Sequence, residues 1–192
     1  MIWTFQTKST PSYMQTHRGA TASTEPDQKA EETQNSTIAQ WMLIESARCR
    51  FVSLQGGGGC ALFMWATFPT VPDALRVMEA WGFAYKTAAF VWIKKYKSGG
   101  NFYGMGAYTR ANAEVCLLGV TPGFKAKEMV KSHSVHQVIE SPIQAHSVKP
   151  DETRHRIVEL LGDVPRIELF ARQRVPGWDA WGDEIEEMEA DT

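Results

Sequence analysis

The apolar positions of the chain fall into runs of two periods. Residues 60–67 (CALFMWAT) are almost continuously apolar, the signature of a strand buried on both faces. Residues 71–81 change period: Leu75, Val77 and Met78 alternate with Asp73, Arg76 and Glu79 at helical spacing, with Pro72 near the start and Gly82 as the stop. Residues 86–94 (KTAAFVWIK) and 113–120 are further apolar strands, and the loop 96–109 between them holds Gly99, Gly100, Gly104 and Gly106. The stretch 121–133 is polar and basic and reads as loop, and 137–140 is short and strand-like.

Downstream the periods repeat. Pro150 opens a helix whose first turn carries Asp151 and Glu152, where carboxylates oppose the helix dipole. Ile157, Leu160 and Leu161 form its apolar stripe, and Gly162 followed by Pro165 ends it. Residues 166–172 alternate, with Ile167, Leu169 and Ala171 on one face and Glu168 and Phe170 on the other, as in a strand. Strand–helix–strand alternation with apolar strands predicts an α/β fold built on a mostly parallel sheet flanked by helices.

The first 59 residues lack this regularity and are expected to form an atypical, largely irregular segment, followed by a domain over 60–184 and an acidic tail over 185–192. Residues 1–5 read as the end of a strand or a loop, 8–36 as a polar loop, and 38–44 (IAQWMLI) as a short helix. The glycines at 56–59 run straight into a strand with no Gly-Lys-Ser/Thr after them, so they are a connector and not a phosphate loop.

At 192 residues the chain has the length of one domain, with 43% apolar and 22% charged residues. No apolar run reaches membrane-spanning length, and no signal peptide opens the sequence. Cys49, Cys60 and Cys116 form neither a disulfide framework nor a CxxC site, so buried thiols and a reducing cytoplasm are expected. The net charge of −2 gives no global attraction to nucleic acid. Residues 86–131 nevertheless concentrate lysine and arginine, with Tyr96, Phe102, Tyr103 and Tyr108 among them, a mixture that suits phosphates and bases.

The candidate chemistry lies where the last strand opens into the loop 172–184. Ligands of open α/β sheets bind outside the carboxyl ends of strands. Lys149 suits a carboxylate, and Arg172 with the Asp183–Glu184 pair suits ribose hydroxyls and an amine, as a zwitterionic nucleoside requires. The plain alternative makes these ordinary surface charges, with Trp178 and Trp181 only packing. A second polar cluster is Tyr108, Thr109, Arg110, Asn112 and Glu114. Asn112 and Glu114 are two apart at a strand entrance and face one way. They either hold a base or brace the loop, with Glu114 paired to Arg110. His133, His136 and His146 lack metal-ligand spacing and neighbouring carboxylates or cysteines, so no metal site is expected.

HSVKPDE, RIELFAR and PGWDAWGDE, together with CALFMWAT, AWGFAYKTAAFVWIK and GMGAYTRANAEVCLLG upstream, resemble in order the motifs of the MT-A70 family. These are adenine methyltransferases acting on mRNA or, in compact phage and bacterial members, on DNA. The resemblance implies a Rossmann-like class I methyltransferase fold and S-adenosylmethionine as cofactor. It places Lys149 on the methionine carboxylate, Arg172, Asp183 and Glu184 along the ribose, and Ser147 at the helix cap beside the cofactor. The substrate implied is adenine in DNA, with RNA the lesser alternative, and the target base would fall to Tyr108, Arg110, Asn112 and Glu114.

The family's catalytic Asp-Pro-Pro-Trp follows a central strand. Here only Trp3 matches it; the Asp, both prolines and the strand before them are absent. The expectation is therefore a sheet lacking its N-terminal strand, and an enzyme truncated or inactive in this form. The alternative is a non-catalytic nucleic-acid-binding or scaffold relative.

Overall fold

The computed structural model describes residues 2–6, 59–106, 108–144, 148–182 and 185. Among these residues, seven strands form one sheet. In chain order they are β1 (Ile2–Gln6), β2 (Cys60–Ala66), β3 (Ala84–Lys95), β4 (Ala113–Val120), β5 (Val138–Pro142), β6 (Arg166–Leu169) and β7 (Asp179–Trp181). The helices are α1 (Val71–Ala80), the single turn α2 (Ala126–Met129) and α3 (Glu152–Leu161). The spatial order is β5-β3-β4-β2-β1-β6-β7.

Alternation along β2 divides the core in two. Cys60, Leu62, Met64 and Ala66 pack on one face with Ala74 and Met78 of α1. Ala61, Phe63 and Trp65 pack on the other with Ile157 and Leu161 of α3. Every residue of β2 is therefore buried, as its unbroken apolar run requires of a strand covered on both sides. Helix α3 stops where Gly162 takes φ 80°, a left-handed conformation that costs a glycine nothing.

The α/β, Rossmann-like class holds. Its sheet is mixed and not mostly parallel. Only β3–β5 and β6–β7 pair in parallel, whereas β1–β2, β1–β6, β2–β4 and β3–β4 are antiparallel. The expected gap in the sheet is also corrected. Ile2–Gln6, within the segment read as largely irregular, forms β1 and lies hydrogen-bonded between β2 and β6. The expected helix at 38–44 lies outside the described residues. Strand β6 is shorter than its alternation suggests, because Phe170 turns to φ 58°.

Candidate active site

Strands β2, β3, β5, β6 and β7 share one direction, and their carboxyl ends make one edge of the sheet. Strand β4 runs the other way, so its first residues emerge at that same edge. Glu114, the second residue of β4, sits there opposite Trp92 of β3. It is a buried carboxylate, 8% exposed, and such a group must be paired.

Two lysines pair it. Lys94 Nζ donates to Glu114 Oε1 at 2.7 Å, and Lys149 Nζ donates to Oε2 at 2.7 Å. Burial alone would push the Glu114 carboxyl up; the hydrogen bonds and charges of Lys149 and Lys94 outweigh it and hold the group below the usual carboxylate range. One carboxylate against two ammonium groups leaves a net positive charge at the carboxyl edge, beside the amino end of α3. Trp92 walls this site. Its Nε1 donates to the Ser141 carbonyl at 3.0 Å, Trp65 meets it edge-on at 6.4 Å, and the Lys94 ammonium lies 5.3 Å from its ring centroid.

The structure unites Lys149 and Glu114, which the sequence had assigned to cofactor and base separately. Of the two alternatives, the Glu114–Arg110 pair is not formed, because Lys94 and Lys149 take both carboxylate oxygens; Arg110 is exposed on the loop. Asn112 is half-buried and its carbonyl accepts the Lys94 backbone N–H at 2.8 Å, and Tyr108 is exposed. Arg172 is exposed just past β6. Ser147, Asp183 and Glu184 lie outside the described residues, and the cap of α3 is Asp151 and not Ser147. Gly182, just before the acidic pair, packs so closely on Ala171 that an added Cβ would lie 2.3 Å from its carbonyl oxygen.

Trp3 does not follow a strand, as its counterpart in the motif would. It lies inside β1, paired with Phe63 and Glu168 and two strands away from β4. Lys94, Trp92 and Trp65 were missed as site residues. The signal for Trp92 and Lys94 was the two-residue alternation of β3, which puts them on one face.

A groove of about 760 Å³ opens at the opposite edge of the sheet, lined by Leu75, Phe83, Tyr85 and Phe124 among others. None of the candidate site residues from the sequence borders it. Among the described residues no group of three or more His, Cys, Asp or Glu side chains is placed to hold a metal ion, and no helix is long and apolar enough to cross a membrane.

A family model described as MT-A70 matches residues 12–184. The chain is also similar to the type II methyltransferase M.MunI of a Mycoplasma species, at 36% identity over 129 residues, 66% of this chain and 51% of that protein. It thus spans about half the length of this curated relative.

Proposed function

The chain belongs to the MT-A70 family, and on that premise we propose that it binds S-adenosylmethionine and directs methyl transfer to the 6-amino group of adenine in DNA. The observation that carries the reading is the Lys94–Glu114–Lys149 constellation. An ammonium has three donors, and Glu114 occupies one on Lys149, so the others are left for the methionine carboxylate. The excess positive charge of the constellation favours that anion. Three strand spacings separate β4 from β6, roughly 14 Å. In this reading an extended cofactor lies along this edge, with its amino-acid tail at Lys149 and its ribose toward Arg172. Asp183 and Glu184, next in the chain after Gly182, are the acceptors for the ribose hydroxyls.

S-adenosylmethionine supplies a sulfonium methyl that an adjacent nitrogen can attack in line. The chain's own residues orient the acceptor and exclude water. Trp92 and Trp65 form an apolar wall. The side-chain amide of Asn112, which makes no hydrogen bond among the described residues, is the candidate acceptor for the adenine amine hydrogens. Tyr108 and Arg110 lie on the exposed loop that leads to Asn112, where they would meet the DNA around the target. A cytoplasmic setting, bacterial or in a phage-infected cell, accords with DNA as substrate and with the buried free thiols of Cys60 and Cys116.

A second reading rests on Trp3. Its place inside the β1 ladder, and not at the end of a strand, favours a relative that binds cofactor and nucleic acid without turnover. Calorimetric titration with S-adenosylmethionine, followed by transfer of labelled methyl to adenine-containing DNA, separates the two. Binding with transfer supports the enzyme, and binding without transfer supports the non-catalytic relative. Absence of cofactor binding removes the proposed site.

A further inference from the structure

We propose that the tip of the loop joining β3 to β4 is a stacking wedge for nucleic acid: Met105 and Tyr108 enter the base stack vacated by an extruded adenine, while Lys97 and Arg110 take flanking phosphates. The proposal rests on DNA being the substrate at the carboxyl edge. Met105 and Tyr108 are 97% and 100% exposed, which leaves two large, largely apolar side chains with no protein surface against them.

The loop that carries them is held in shape. The Phe102 N–H donates to the Lys94 carbonyl at 2.9 Å, and the Gly104 N–H donates to the Ala111 carbonyl at 2.8 Å. The rings of Tyr96 and Phe102 meet edge-on at 5.4 Å, and Lys95 Nζ donates to Asn101 Oδ1 at 2.9 Å. At the tip the chain turns so tightly that a Cβ on Gly106 would lie 1.9 Å from the Thr109 carbonyl oxygen. Met105 and Tyr108 are thus carried, fully exposed, at the far end of a loop braced at its base.

Charge identifies the partner. Lys94 and Lys95 are held in ion pairs with Glu114 and Glu140. Lys97 and Arg110 on the same loop are exposed and make no ion pair among the described residues. An anionic polymer with flat apolar faces matches this combination, and a nucleic acid has both. The root of the loop is the proposed base site itself, since Asn112 and Lys94 are bonded to each other there. Extruding a base removes its stacking, and side chains inserted from the protein replace it.

The test is fluorescence anisotropy with a labelled DNA duplex, intact or carrying one abasic position, alongside cofactor titration. Met105→Ala/Tyr108→Ala is expected to weaken duplex binding at least about tenfold and to abolish any preference for the abasic duplex. Cofactor affinity is expected to stay unchanged, and Tyr108→Trp to retain binding. Lys97→Gln/Arg110→Gln is expected to flatten the slope of log affinity against log salt by about one for each phosphate no longer neutralised. Equal duplex affinity of wild type and the double alanine variant overturns the wedge and leaves DNA as the substrate. No duplex binding by the wild type overturns both readings.

Discussion

Glu114 decides the electrostatics of the site, because two lysines converge on its one carboxylate. Lys149→Ala removes one of those charges and is expected to weaken cofactor binding by about 1.5–3 kcal/mol, the usual worth of a charge-assisted hydrogen bond, as read by calorimetric titration. An unchanged affinity would detach Lys149 from the site. The depressed Glu114 carboxyl also links stability to pH. A group whose folded value lies below its unfolded value binds fewer protons when folded. Its contribution is therefore complete above the ordinary carboxylate range and is lost as pH falls through that range to the folded value. Thermal melting of wild type should fall more steeply with acidification there than melting of Glu114→Gln, which has no proton to take up; parallel curves would refute the linkage. The sequence pointed to both Lys149 and Glu114 but not to their pairing, since 35 positions separate them and no periodicity reports on cross-element pairs.

A different pair of charges fastens α3 to β6. Arg154 Nε and Nη2 donate to the two carboxylate oxygens of Glu168 at 2.8 and 3.1 Å, a forked bond between side chains 5% and 2% exposed. Arg154→Met would leave the Glu168 charge buried without its partner, and a loss of about 3–5 kcal/mol in urea unfolding is expected. Adding Glu168→Leu should recover a large share of it. A loss below about 1 kcal/mol for the single change would show that water reaches Glu168. Arg156 on the same helix serves the sheet differently, donating to the Val138 carbonyl at 2.7 Å on the outermost strand, β5. That bond occupies an edge group otherwise open to pairing with another chain. Elements with a sustained period were legible: α1, β2, β4 and α3 lie where the apolar spacing put them. Strand β7 was not, because three residues, Asp179–Trp181, are too few to show alternation and owe their conformation to Leu169 and its neighbours.

For the molecule as a whole, the sheet's direction was harder to read than its composition. Strands β2 and β4 are apolar on both faces because helices or loops cover both, and double burial gives the same continuous run whichever way a strand points. That is why an unbroken apolar pattern suggested parallel pairing for strands that pair antiparallel. The place of β1 was invisible for a related reason: five residues carry no record of the two strands they join. Removing residues 2–6 would open β2 and β6 along facing edges in the middle of the sheet. A fall in melting temperature of about 10 °C or more is expected, with concentration-dependent association visible by light scattering. A truncated chain that melts unchanged and stays monomeric would show that β1 adds nothing to the sheet.

The pairing of Ile2 with Leu169 also has a kinetic consequence. Closing a loop of that length is entropically costly, so pairings this distant in sequence form late in folding. The hairpin of β3 and β4 joins near neighbours and can form early. Substitutions in β1 should therefore quicken unfolding while leaving the refolding rate almost untouched, and those in the hairpin should slow refolding. The strand that joins β2 to β6 is then the last to arrive and the first to leave.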